Sequence, residues 1–284
     1  MAEGDEPLAD ERGSFARAAE RLGPLTVGFF VLVTLASGGT GLTLLIWPGS
    51  TETFFSWPLT PIAASALIGG LYLASSVLFG WATTCSWAEA RSLCVGVYGL
   101  TVPTLLSTIV HDELFDASRW QAWAWWTLFL AAPPAITVVL WVNRRRAIGQ
   151  TTPLAGWART AFAVVTLVLG ALALLLLFEP TRSDLSSGSP TGGLIGLTGA
   201  YLGAWCGFVA VQAGWAAWRG TQEEALVPAA ALALAGAGAV LAALRTFSDL
   251  NDDAVLLYLL LLGIGIGFGV SISLSAGARR AART

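Results

Sequence analysis

Between Arg91 and His111 run nineteen residues without a charge. At about 1.5 Å of rise per residue, a helix of that length covers roughly 30 Å, the thickness of a bilayer's hydrocarbon core. Glu224 and Arg245 bracket a second run of the same kind. Read with this ruler, the chain holds eight apolar runs, near residues 24–46, 60–81, 92–111, 120–142, 157–178, 192–217, 225–246 and 254–275. In lipid the backbone has no water to bond, so an open sheet is excluded and each run must be helical. The expected fold is an all-α, polytopic integral membrane bundle of eight transmembrane helices.

Composition points the same way. Hydrophobic residues make up 55% of the chain and charged residues 12%. A soluble domain carries about a quarter charged residues, so here lipid must cover much of the surface. The formal net charge of −3 gives no support to nucleic-acid binding. The N-terminal residues, "MAEGDEPLADERGSFARAAERLGP", are acidic and polar. They lack the apolar core of a signal peptide and read as a cytoplasmic tail.

Arginine sets the expected orientation. With the N-terminus inside, twelve arginines fall on inner segments, "NRRR" at Asn143–Arg146 among them. Only Arg119, Arg182 and Arg245 fall outside. That asymmetry follows the positive-inside rule and places both termini in the cytoplasm. The expected location is the plasma membrane, the inner membrane of a bacterium. Tryptophans agree, since indole favours the headgroup level. Trp47, Trp57 and the cluster Trp120, Trp123, Trp125 and Trp126 are expected as outer anchors. Trp81, Trp87, Trp141, Trp157, Trp215 and Trp218 are expected at the inner interface.

The chain carries signs of an internal repeat. "GLYLASSVLF" (Gly70 to Phe79) aligns with "GAYLGAWCGF" (Gly199 to Phe208), and "DELFD" from Asp112 resembles "SDLND" from Ser248. Each pair occupies the same place in its half. The expected organisation is a polar tail (1–23), a first four-helix repeat (24–142), an Arg-rich cytoplasmic linker (143–156), a second four-helix repeat (157–275) and a basic tail (276–284). Units with an even number of spans insert in the same sense, so the tandem 4+4 repeat would be parallel.

Candidate chemistry is sparse. No Asp, Glu, Lys, Arg or His lies in the middle of any run, which removes the usual marker of a proton relay or ion-coupling site. Gln212 is the strongest polar group at depth. The only histidine, His111, cannot make a two-histidine haem site, and Cys85, Cys94 and Cys206 form no CxxC pair. No cofactor is expected, and the sequence leaves metal binding open. The outer-face polar cluster consists of His111, Asp112, Glu113 and Asp116 with Arg245, Asp249, Asp252 and Asp253. These loops stand at equivalent repeat positions. They read either as a cation-attracting mouth or as solvated acids. Pro103, Pro133, Pro134 and Pro228 fall inside spans and are candidate kinks. Small residues four apart, as at Gly199, Gly203 and Gly207, read as close helix packing in lipid.

Three functional classes remain. The leading one is a passive transporter or channel-like protein for a small solute or cation, with a path between the halves. The second is a non-catalytic membrane subunit, sensor or assembly factor, which calls for a protein partner or a homo-oligomer. The third, ranked last, is a membrane enzyme with an outer-face site at His111; no catalytic residue is assigned. In all three, the lipid bilayer is the partner.

Overall fold

The computed structural model describes residues 22–112, 115, 118–146, 148, 151–178, 196–247 and 265. Among the described residues are seven long helices: α1 (Pro24–Ile46), α2 (Ile62–Ala82), α3 (Trp87–Val110), α4 (Trp120–Asn143), α5 (Gly156–Phe178), α6 (Gly196–Arg219) and α7 (Gln222–Arg245). A short turn, Pro48–Ser50, and a single helical turn, Thr51–Phe54, follow α1. No strand occurs among the described residues. An isolated bridge between Pro153 and Thr221 ties the linker to the α6–α7 turn.

Local chemistry explains where the helices start and stop. Pro24 opens α1 at a position where no helical N–H is needed. Ser86 caps α3 by accepting from the Glu89 N–H, and the Glu89 carboxylate accepts from the Ser86 N–H at 2.7 Å. This is a reciprocal capping box. Thr221 caps α7 from one side only, its hydroxyl oxygen accepting from the Glu224 N–H. Gly220 ends α6 with φ at +65°, the left-handed conformation that a residue bearing Cβ resists.

Six of the seven helices are long and apolar enough to cross a membrane, so the protein is an all-helical, multi-pass membrane bundle. The exception is α6, which stands where the sixth apolar run was expected. It has 24 residues, but Thr198, Tyr201, Gln212 and three tryptophans dilute its apolar character. Position supplies the reason. α6 packs against α3, α5 and α7, so most of its neighbours are protein rather than lipid. The eighth expected span lies outside the described residues apart from Gly265, which lies against Leu232 and Gly236 of α7.

The bundle has a buried centre and a lipid-facing rim. α2 and α6 bury most of their lengths and α3 and α7 about half, whereas α1, α4 and α5 each bury a narrow stripe. On α4 that stripe runs Ala122, Trp125, Phe129, Ile136, Val139 and Asn143. Trp125 is therefore in the core, and so is Trp57, only 2% exposed. The expected outer anchor thus divides: Trp120 and Trp123 face outward, while Trp57 and Trp125 are packed inside. Within α4 helical periodicity is the cause, because side chains a few positions apart point to different sides, while Trp57 sits in the connection before α2 and packs against Trp125. Trp87, expected at the inner interface, is likewise buried.

Glycine crossings hold the centre. A Cβ built on Gly70 would stand 2.1 Å from the Gly238 carbonyl oxygen, so α2 and α7 touch through backbone. At Gly99, a Cβ would lie 2.5 Å from the Gly207 carbonyl oxygen, which brings α3 against α6. Pro103 lacks the N–H that would bond the Gly99 carbonyl, and that carbonyl lies against Gly207 instead. α3, α4 and α7 all continue through their prolines as unbroken helices.

Candidate functional site

α1 and α4 are joined at their two ends and part between them. At one end, Asn143 Nδ2 donates to Thr26 Oγ1 at 2.8 Å and to the Val139 carbonyl at 2.7 Å. Both Asn143 and Thr26 are buried. At the other end, the segment after α1 reaches α4. Ser56 Oγ donates to the Gln121 carbonyl at 3.0 Å, and Gln121 Nε2 donates to the Thr53 carbonyl at 3.2 Å. Between these clasps lies a cleft of about 240 Å³. Leu32 and Leu128 stand on its rim, 66% and 49% exposed, so it opens sideways onto the lipid-facing surface.

The cleft lies at the level of the helix middles. Its wall is almost wholly apolar, with Phe29, Phe79, Phe129 and Phe208 around it. α4 contributes Ala131, Ala132 and Ala135, whose small side chains leave the space open. Hydroxyls are the main polar groups, and Thr101 bonds back to the Val97 carbonyl of its own helix at 2.8 Å.

Tyr72 and Trp205 also form part of this wall. The Tyr72 hydroxyl is hydrogen-bonded to that of Tyr201, which is fully buried. The two tyrosines occupy the same position in the aligned segments of the first and second halves, and here they meet. The Trp205 ring centroid lies 5.2 Å from that of Tyr72 and 6.3 Å from that of Tyr201. Its indole N–H neighbours the Tyr201 hydroxyl yet meets hydrogen-bond geometry with no acceptor. The neighbouring tryptophans differ. Trp125 Nε1 donates to Thr108 Oγ1 at 3.0 Å, and Trp57 Nε1 donates to Thr198 Oγ1 at 3.4 Å. Trp57 and Trp125 pack edge to face at 4.7 Å and, with Tyr201, fill the space beyond the tyrosine pair.

Gln212, the polar group expected at depth, is fully buried where α6 meets Gly96 of α3. Its Nε2 donates to the Phe208 carbonyl at 3.4 Å, and its Oε1 has no partner.

A charged cluster joins α3, α6 and α7 at the other end of α6. Glu224, fully buried, receives the guanidinium of Arg91 from α3 on one oxygen. Arg219 Nε donates to the other at 2.8 Å. Arg91 also lies 5.1 Å from the Trp215 ring centroid. The sequence marked Arg91 and Glu224 only as the ends of apolar runs, because no spacing rule links residues so far apart. The tyrosine pair did carry a signal, since both members sit in the aligned segments.

The expected outer-face cluster is described only in part. Glu113, Asp116, Asp249, Asp252 and Asp253 lie outside the described residues. His111 caps the end of α3, its N–H donating to the Ser107 carbonyl at 3.0 Å, and it lies beside Gly196 at the start of α6. Asp112 follows it in a short turn. Arg245 serves α1: its Nε donates to the Leu45 carbonyl at 3.0 Å and its Nη2 to the Ile46 carbonyl at 3.2 Å. Helix-terminal carbonyls lack an internal donor, and a basic side chain supplies one. Among the described residues, no three of His, Cys, Asp and Glu gather as a metal site would require.

Compared with known protein families, with curated proteins and with solved structures, the chain matches none.

Proposed function

We propose that this protein is a non-catalytic multi-pass membrane component that takes the apolar chain of a lipid sideways into the cleft between α1 and α4. One observation carries the reading. The cleft is apolar, opens at the lipid-facing surface and is bounded by helices clasped only at their ends. Apolar concave sites with a few placed polar groups are the usual form of small-molecule sites. At about 240 Å³ the space suits one chain or one ring, with the rest of the molecule left in the bilayer.

The passive transport of a small solute or cation calls for a polar path between the halves. Among the described residues, that region holds glycine crossings, the tyrosine pair and packed aromatic rings. A lipid ligand fits the surroundings better than a hydrated ion, which would need oxygen ligands to replace its water. An outer-face enzyme site at His111 would draw on acids outside the described residues.

The same reading takes the chain as two four-helix repeats with eight spans, both termini on the cytoplasmic side of the plasma membrane. Three features support the repeat. α1 and α5 each have 23 residues; α3 and α7 each have 24 and begin with a hydroxyl cap three residues before a glutamate. α1 packs on α2 as α5 packs on α6, and α2 crosses α7 as α3 crosses α6. Tyr72 and Tyr201 meet as equivalent residues would at an axis relating the halves.

The test is native mass spectrometry of gently extracted protein, wild type beside Ala132→Trp. The indole would occupy the cleft. The expected result is a lipid that stays bound to the wild type and is lost from the variant. The same lipid retained equally by both would remove the cleft from the function.

A further inference from the structure

We infer that the lipid whose chain enters the cleft is an anionic glycerophospholipid, its headgroup phosphate held by Arg144 and Arg145 at the end of α4. The inference rests on the cleft reading above and names the class of lipid.

The surface of α4 leads from the cleft to these arginines. Leu128, Ala131 and Ala135 stand at the cleft, and Val138 and Val142 continue the same side of the helix at steps of three and four residues. Val138 and Val142 are 50% and 47% exposed, so this apolar strip lies open to the membrane. It passes outside the clasp between Asn143 and Thr26, whose side chains are buried. From Ala131 to Asn143 the helix rises about 18 Å, at about 1.5 Å per residue. One leaflet, from midplane to headgroup, is about 20 Å deep. A chain that ends in the cleft therefore sets its headgroup level with the residues that follow Asn143.

Charge at that level is unbalanced. Arg144 and Arg145 are exposed, and neither makes an ion pair among the described residues. Arg144 Nη1 donates to the Trp141 carbonyl at 2.7 Å, and its guanidinium lies 4.1 Å from the Trp141 ring centroid. Trp141 is itself exposed, at the depth where indole favours the headgroups, so the stacked cation is held there. A guanidinium carries five N–H groups, and this bond uses one. The Arg146 guanidinium lies beside Gly23 at the start of α1 and adds a third positive charge. The described acids on the same side of the bundle are engaged elsewhere: Glu89 with Ser86, Glu223 with the Thr152 N–H, and Glu224 with Arg91 and Arg219. At the opposite clasp, Glu52 beside Thr53 offsets Arg119 by count. An anion is thus favoured at one end of the cleft only. Arginine suits a phosphate because its planar fork can bond two oxygens at once. A zwitterionic headgroup brings its own cation and gains less from a surplus of arginine.

The test uses the full-length protein in mild detergent, offered equal amounts of phosphatidylglycerol and phosphatidylcholine with the same acyl chains. Native mass spectrometry weighs what is retained. Wild type should retain phosphatidylglycerol in preference. Arg144→Gln and Arg145→Gln should each lower that preference roughly fivefold, the effect of one arginine near an anionic headgroup. Phosphatidylcholine retention should not move, which also reports that the variants are folded. Arg119→Gln, at the opposite clasp, should leave the preference unchanged. Ala132→Trp should release both lipids, because one molecule spans cleft and arginines. Equal retention of the two lipids by wild type, both lost in Ala132→Trp, overturns the anionic assignment and leaves the cleft reading standing. Displacement of phosphatidylglycerol by inorganic phosphate makes the arginines a site for the free anion and likewise overturns the lipid assignment. Retention of both lipids by Ala132→Trp as by wild type overturns the cleft reading and this inference with it.

Discussion

Gly70 of α2 and Gly238 of α7 touch through their backbones, and a methyl group on Gly70 would stand 2.1 Å from the Gly238 carbonyl oxygen. Backbone atoms cannot turn aside as a flexible side chain can. Gly70→Ala must therefore push the two helices apart, and overpacking of this kind costs about 1–3 kcal/mol. Gly28 of α1 is the control, since its Cβ would meet nothing within 4 Å. There alanine's helix propensity, favourable by about 1 kcal/mol over glycine, should leave stability unchanged or raised. Thermal unfolding of both variants in one detergent makes the comparison. A Gly70→Ala protein as stable as wild type would mean that α2 and α7 do not cross here.

Glu224 holds two arginines from different parts of the chain and is itself fully buried. Truncating one partner of a buried ion pair leaves an uncompensated charge, typically about 3–5 kcal/mol. Glu224→Ala should therefore unfold much more readily than wild type. Arg219, whose side chain is 34% exposed, keeps access to solvent, so Arg219→Ala should cost far less. Denaturant midpoints in detergent should rank the two variants in that order.

Arg245 joins the end of α7 to the end of α1 through two backbone carbonyls. In Arg245→Ala those carbonyls lose their donor, and the last turn of α1 should fray. Hydrogen exchange should rise several-fold at amides near residue 46, with no change in the middle of α1. The loss of stability should be about 1 kcal/mol, the net worth of ordinary hydrogen bonds. Uniform exchange along α1 would contradict the capping role.

Cys85 lies in the turn between α2 and α3, and burial, with the nearby Glu89 carboxylate adding to it, pushes its thiol up to about 12. The thiol form is thus favoured in the folded protein. Its contribution to stability is complete below the ordinary thiol value near 9 and is lost as pH rises from there to about 12. At pH 8 Cys85 should react with iodoacetamide much more slowly in the folded protein than in the denatured chain, followed by peptide mass spectrometry. Fast labelling of folded protein would show a thiol more open and more acidic than its surroundings imply.

What the sequence determined by itself was the solvent. Runs such as 92–111, bounded by Arg91 and His111, state the length of a lipid-crossing helix without reference to any neighbour. Helix starts carried a local signal that the charge-free runs passed over: Ser86 with Glu89 and Thr221 with Glu224 open α3 at Trp87 and α7 at Gln222, ahead of the expected 92 and 225. Packing was legible only as a tendency. The four-residue spacing of Gly203 and Gly207 promised close approach, yet Gly203 turned to α5 and Gly207 to α3, and spacing alone does not choose partners.

Tertiary structure decided which side each helix presents, and with it the candidate site. Trp57 and Trp125 looked like interfacial anchors because tryptophan suits that depth, and the fold buries both instead. Arg91, Arg219 and Glu224 meet only because the starts of α3 and α7 lie beside the end of α6. The cleft exists because α1 and α4, separated in the chain by two other helices, are clasped at their ends and not between. Local periodicity fixes depth and direction along one helix. Contacts between distant helices depend on how all of them pack at once, and no single segment carries that information.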